Sequence, residues 1–146
     1  MKKLLLLLLT ATLFVNCSND DGEWNEVSNP SNFSMTVNAA DLEDLSICVH
    51  LFKCQSEIFD SVQDVDDLIE MFAVDVSGEK HHAFYSFGTD GRFIKHPLQD
   101  GFYFLCVIIN ETGKYTCRYL HVEEDRNYFL EKSFVSAFPE KTYEGW

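Results

Sequence analysis

A chain of 146 residues with 13 Phe and 6 Tyr has the apolar material for one well-filled domain and is too short for two. Its formal net charge of −13 at pH 7 argues against nucleic acid and against docking on anionic lipid headgroups, both of which select basic surfaces. The aromatic content is enough to build a core without a metal or cofactor, and none is expected.

Residues 1–16 read as a targeting segment. Lys2 and Lys3 form a basic start, and Leu4 opens an apolar run that ends at Phe14-Val15-Asn16. The run is too short to cross about 30 Å of hydrocarbon as a stable helix. A cysteine directly after such a run resembles the lipobox of bacterial lipoproteins, although Val15 and Asn16 depart from the Leu and small residues usual there. The resemblance implies that Cys17 becomes the first mature residue and carries the lipid; an ordinary signal peptide with an incidental cysteine is the alternative. Several acyl chains anchor far better than one, at about 0.8 kcal/mol per buried CH₂. The acidic residues that follow, Asp20, Asp21 and Glu23, resemble the signal that sends some Gram-negative lipoproteins to the outside of the outer membrane. A plain acidic tether on the periplasmic face is the other reading. Residues 17–31 are therefore a lipidated cysteine and a flexible tether, with Trp24 a candidate for pinning it to the domain. Losing Lys2 and Lys3 leaves 9 basic against 24 acidic residues, a mature balance of −15.

Residues 32–146 form the domain. Residues 33–39 alternate, with Phe33, Met35 and Val37 on one side and Ser34, Thr36 and Asn38 on the other, which predicts a half-buried strand. Residues 46–53 predict a second, with Ile47, Val49 and Leu51 inward and Cys48, His50, Phe52 and Cys54 facing away. Over 60–72 the period changes: Val62, Val65, Leu68, Ile69 and Phe72 recur at three and four, so an amphipathic helix is expected, opened by Ser61 in a weak capping box. Residues 81–87 predict a strand. Residues 92–95 predict a short one stopped by Pro97, which has no N–H for a ladder. A long strand follows over 102–110, a tight turn at 110–114 in which Gly113 suits the left-handed position, a returning strand over 115–122, and a last strand over 127–135.

Residues 89–109 carry a spaced pattern. Gly91, Phe93, Leu98, Gly101, Tyr103, Leu105 and Val107 fall at the intervals of the transthyretin-like domains called carboxypeptidase regulatory-like, and Leu45-Ser46 with Val49 and Leu51 gives a weaker echo. The echo departs from the family at Ile47 and Cys48, where Gly and Ala are usual. The resemblance implies an antiparallel Greek-key β-sandwich of about seven strands, here with one short inserted helix. It also implies a binding or adhesion module more often than an enzyme.

No nucleophile–base–orienter set is suggested. Ser133 and Ser136 lack a nucleophile elbow, no C-x-x-C pair is present, and the glycines make no phosphate loop. His81 and His82 are adjacent, so on a strand they point to opposite faces and cannot chelate one ion together. Asp64, Asp66, Asp67 and Glu70 read as a solvated acidic helix start rather than a Ca²⁺ loop, which would need the EF-hand glycine and spacing. Asp60-Ser61-Val62 resembles the short O-glycosylation acceptor of some bacteria with such lipoproteins, which makes Ser61 the candidate acceptor.

Four cysteines remain after lipidation: Cys48, Cys54, Cys106 and Cys117. An exported compartment permits disulfides, and four cysteines allow three connectivities. Cys106 and Cys117 are near across the turn. With a two-residue loop they are expected as a hydrogen-bonded pair, whose side chains are held less close; with a bulged loop they shift by one and face apart. Cys48 and Cys54 stand about 20 Å apart on an extended strand. Bonds, where formed, are expected between that strand and the hairpin; four buried thiols are the alternative.

The strand over 102–110 is apolar on both faces. With Tyr103, Leu105, Val107 and Ile109 inward, Phe102, Phe104, Cys106 and Ile108 point out, and Phe52 adds to the same excess. A sandwich strand normally meets water on one face, so a cover is expected, and the apolar stripe of the helix is the candidate. The competing expectation is an open interaction patch of Phe52, Phe102 and Phe104. The functional expectation is a lipid-anchored, envelope-exposed, non-catalytic module that binds a protein or glycan. Its rivals are a structural lipoprotein of an envelope or secretion assembly and a periplasmic inhibitor or immunity protein.

Overall fold

The computed structural model describes residues 29–146. The expected leader, the candidate lipidation site Cys17 and most of the expected tether lie outside the described residues. Among the described residues, alternating apolar residues build nine strands: β1 (Ser31–Ala39), β2 (Ile47–Cys54), β3 (Phe72–Val74), β4 (Lys80–His82), β5 (Tyr85–Thr89), β6 (Phe93–Leu98), β7 (Gly101–Ile109), β8 (Tyr115–Val122) and β9 (Asn127–Phe134), with a short helix, α1 (Val65–Ile69), between β2 and β3. The fold is an all-β sandwich. One sheet has three strands in the order β6-β1-β9, and the facing sheet has four in the order β5-β2-β7-β8. β3 and β4 form a separate ribbon inserted between β2 and β5. The four-stranded sheet is antiparallel throughout, and so is the β1·β6 pair, but β1 and β9 run parallel. No helix among the described residues is long and apolar enough to cross a membrane.

The inner core lies between the sheets. Phe33, Met35 and Val37 of β1 meet Ile47, Val49 and Leu51 of β2 and Tyr103, Leu105, Val107 and Ile109 of β7, all but wholly buried. The inward residues are those the alternation predicts, because a period of two puts every second side chain on one face. Burial of each large aliphatic side chain contributes about 1.5–3 kcal/mol.

A second core lies outside the four-stranded sheet. Phe52, Phe104, Cys106, Ile108, Tyr115 and Cys117 are buried beneath Phe59, Val65, Leu68, Ala73 and Ala83 of the insert. The expected cover is present, and the alternative of an open patch is corrected: Phe52 and Phe104 are buried and only Phe102 keeps partial access. The Phe59 ring lies nearly parallel to that of Phe104, with centroids 4.9 Å apart. Two tyrosines of β8 stitch the insert down. The Tyr119 hydroxyl accepts from the Phe59 N–H at 2.6 Å and donates to the Phe59 carbonyl at 2.9 Å. The Tyr115 hydroxyl does the same with the N–H and carbonyl of Gln63.

The helix is shorter than its periodicity predicts, and this reshapes the cover. Gln63 spends its side-chain amide on the backbone of Val74, accepting from its N–H at 2.8 Å and donating to its carbonyl at 3.1 Å. Residues 60–63 are thereby held out of the helix, and Asp64 caps it in place of Ser61, accepting from the Asp66 N–H. Of the expected stripe, Val65 and Leu68 are buried while Val62 and Ile69 face solvent. Pro97 does not stop β6, which runs on to Leu98. Among the described residues β6 is an edge strand paired only with β1, so the missing N–H costs no ladder bond. The predicted strand over 81–87 is broken at Ala83 and Phe84 into β4 and β5. The C-terminal tail returns to β8 through a parallel bridge between Tyr143 and Tyr115. It is held there by Glu144, which pairs with the buried Lys114 at 3.1 Å and Lys132 at 2.9 Å. Burial works against the Glu144 charge, but hydrogen bonds from Lys132, Lys114 and the Val135 N–H outweigh it and keep the carboxyl below its ordinary value.

Candidate functional site

Three places gather side chains that could serve a ligand. The first is a cleft of about 400 Å³ at one end of the sandwich. The β1–β2 loop supplies Glu43 and Asp44 to it, the β5–β6 turn supplies Asp90 and Arg92, and the β7–β8 turn supplies Glu111. Arg92 is spent on the fold: its guanidinium donates to Asn38 Oδ1 at 3.1 Å and to the carbonyls of Leu42 and Glu43 at 2.9 and 3.1 Å. Glu111 is spent likewise, accepting from the Ser46 N–H at 2.8 Å. The cleft is a concavity at the sandwich end, but its polar groups mostly brace its own loops.

The second lies under the insert. Cys48 and His50, two apart on β2, share a face, and Cys48 Sγ stands 3.4 Å from His50 Nε2. Sequence reasoning placed both on the outer face and did not pair them; the spacing of two was the available signal. Burial, aided by the charge of His82, lowers the His50 pKa to about 4, and burial raises that of Cys48. Both shifts favour the neutral forms, opposite to the thiolate–imidazolium state a cysteine nucleophile needs. On the insert, Asp75, Glu79 and His81 bring ligand atoms within 4.8 Å of one another. Asp75 is already committed there, with Oδ1 taking the N–H and hydroxyl of Ser77 and the Glu79 N–H, and Oδ2 meeting His81 Nε2 at 2.9 Å. It is a turn cap. His82 leaves by the opposite face against the Phe72 ring. The acidic helix start is likewise engaged: Asp66 pairs with Lys141 and Asp67 with Lys80. Ser61, the candidate glycosylation acceptor, is exposed on the insert.

All four described cysteines are free. The bond expected between β2 and the hairpin is corrected by the register: opposite Cys48 on β7 stands Ile108, and opposite Cys54 stands Phe102. Cys106 and Cys117 are directly opposed and face the same way. Their pair is also not the hydrogen-bonded kind expected for a short loop. Ile109 N–H donates to the Lys114 carbonyl at 2.8 Å, so the odd-numbered residues of β7 exchange the bonds with β8. Cys106 and Cys117 form a non-hydrogen-bonded pair, the kind whose side chains approach most closely.

The third place is the outer face of the three-stranded sheet. Three cross-strand rows make it up: Phe93, Thr36 and Glu131; Lys95, Ser34 and Phe129; Pro97, Asn32 and Asn127. Phe129 is 81 % exposed and Phe93 is 56 % exposed. They flank β1 from either side, about 10 Å apart across the sheet at the usual strand spacing. Between them runs a shallow trough of about 240 Å³, floored by Asn32, Ser34 and Asn127 with Lys95 at one wall. Its floor holds no carboxylate and no buried charge. The alternation along β9 would have marked Phe129 as an apolar residue on a polar register, since Tyr128 and Leu130 point inward; the sequence reading did not single it out.

No family model, no curated protein and no solved structure matches this chain.

Proposed function

We propose that this chain is a lipid-anchored, surface-exposed module of the cell envelope, transthyretin-like in kind and without catalytic chemistry, that binds a glycan on the outer face of its three-stranded sheet. The observation that carries the reading is the pair Phe93 and Phe129 standing exposed on either side of an amide and hydroxyl floor. A pyranose ring has apolar C–H faces and a polar rim. It is met well by aromatic rings that bury those faces and by Asn and Ser groups that exchange hydrogen bonds with its hydroxyls. A protein partner calls instead for a contiguous apolar centre, and this face offers only two apolar rings of that size in a polar field. The floor is partly engaged too, since Asn32 Nδ2 donates to Asn127 Oδ1 at 3.1 Å and the Ser34 hydroxyl donates to the Tyr128 carbonyl at 3.4 Å, but each amide keeps further donor and acceptor positions, and neither the end cleft nor the insert sets two exposed aromatic rings beside such groups. The lipobox-like run before Cys17 and the acidic residues after it support the anchor and the outward placement.

The test is affinity electrophoresis of the full chain through gels cast with a panel of soluble polysaccharides. Retardation by at least one of them that disappears in the Phe93→Ala/Phe129→Ala double variant is expected. Unretarded migration on every polysaccharide would leave the face to a protein partner and favour the assembly reading. The anchor is tested separately. Mass spectrometry of the mature N-terminus should find acylated Cys17, and protease shaving of intact cells should digest the domain.

A further inference from the structure

Cys106 and Cys117 hold their Sγ atoms 2.8 Å apart. The other thiol contacts are longer although they involve smaller partner atoms: Cys48 Sγ lies 3.4 Å from His50 Nε2, and Cys54 Sγ lies 3.7 Å from the Phe102 carbonyl oxygen. In a non-hydrogen-bonded cross-strand pair the Cα atoms stand about 4.5 Å apart, inside the range of about 4.4–6.8 Å that a disulfide bridges without moving backbone. Both side chains point to the same face and are buried in the outer core. On β2 the residue in register with Cys106 is His50, so no third sulfur is opposed to the pair.

We propose that Cys106 and Cys117 are a disulfide site, oxidised to one cross-strand bond in the exported protein while Cys48 and Cys54 stay thiols. The two thiols give up two protons and two electrons as the S–S bond forms. The acceptor is another disulfide, that of a thiol-oxidising protein or of oxidised glutathione, which is reduced to two thiols through a mixed-disulfide intermediate. The attacking thiolate has to arise before the outer core closes. Once the insert is seated, burial, aided by the neighbouring Cys117, pushes the Cys106 thiol well above its ordinary pKa, and no solvent reaches it. The bond is therefore made during folding and then shielded from reductant. It closes the hairpin whose turn holds the tail, since Thr112 accepts from the Lys141 N–H and Lys114 grips Glu144.

Peptide mapping separates this bond from every link to Cys48 or Cys54, because trypsin cuts after Lys53, Lys80, Lys95, Lys114 and Arg118 and puts Cys48, Cys54, Cys106 and Cys117 in four different peptides, with Cys17 in the same peptide as Cys48. The full chain is refolded with oxidised glutathione, its free thiols are alkylated in denaturant, and it is digested without reductant. Peptides 96–114 and 115–118 should appear joined, and should separate on adding dithiothreitol. The peptides carrying Cys48 and Cys54 should carry the alkyl label. Alkylation of both Cys106 and Cys117 in the refolded chain, or a link from either to Cys48 or Cys54, would overturn the proposal. The melting temperature should fall when the oxidised wild type is refolded in reductant and stay unchanged by reductant in Cys106→Ala/Cys117→Ala. Reductant leaving the wild-type melting temperature unmoved would count against a bond that contributes to the fold.

Discussion

The two sheets of this sandwich meet their surroundings differently. The outer face of the four-stranded sheet is a second core: Phe52, Phe104, Cys106 and Tyr115 are buried beneath the insert. Over the outer face of the three-stranded sheet no described element lies as a roof: Phe93 and Phe129 stand exposed there, and the floor between them is Asn and Ser. Each face is what its strands' alternation makes it. β7 carries apolar residues at every position from Phe102 to Ile109, and such a strand has to be roofed. β1 keeps Asn32, Ser34, Thr36 and Asn38 on its outer side, and such a strand can stay open. Two exposed phenylalanines on the open face are then the anomaly, which is why binding is assigned there and not to the aromatic-rich covered side.

The sharpest way to break this comparison is Phe104→Ala. If the roof is as well packed as the inner core, the loss should be about 3–5 kcal/mol, as for a buried Phe, and should match or exceed that of Leu105→Ala at about 2–5 kcal/mol. Urea unfolding of both variants measures it, and a loss under about 0.5 kcal/mol for Phe104→Ala would mean the insert sits loosely.

Next in size is a pH effect peculiar to the covered face. His50 is held to a pKa of about 4, chiefly by burial, against an unfolded value of about 6.5. Between these values the unfolded chain takes up a proton that the folded chain refuses. Stability is therefore full above pH about 6.5 and falls as pH drops through the window toward about 4, by about 3 kcal/mol in all. Denaturant midpoints taken across that window should decline in wild type and stay flatter in His50→Gln.

Smaller again is the cost of cutting one stitch. Tyr119→Phe removes a hydroxyl that satisfies both backbone groups of Phe59 and should cost about 1–3 kcal/mol. Hydrogen exchange should quicken at the Phe59 amide while amides of the inner strands hold their protection. The smallest effect belongs to the bare face. Phe129→Ala should change stability by no more than about 0.5 kcal/mol and yet weaken glycan retention. A large loss of stability there would mean that the ring is part of the fold and not of a site.

The sequence carried the strands and their facing well, because period two is a strong constraint and β7, β2 and β1 obey it residue by residue. It carried the need for a roof as well, from β7 alone. It misjudged the roof's form. The stripe Val62, Val65, Leu68, Ile69 counts as helix by spacing, but a glutamine at 63 finds better partners in the Val74 backbone, and no period reports such a side-chain choice. The parallel pairing of β1 with β9 and the directly opposed cysteines depend on how distant strands register, which a local reading does not reach. Phe129 was visible as an apolar residue out of phase, and only its exposure gives that phase a meaning.

β1 lies in the middle of its sheet, with β6 on one side and β9 on the other, and it is the strand that follows the proposed N-terminal anchor segment in the sequence. A pull transmitted along that segment does not peel an edge strand open one bond at a time. It loads β1 lengthwise, so that the ladders to both neighbours are strained in shear together and must give way together. Phe93 and Phe129 sit on those two neighbours. Cargo held by them on one end and an anchor on the other would place the drag across the strongest direction of the sheet, and resistance to forced unfolding is set by that barrier rather than by equilibrium stability.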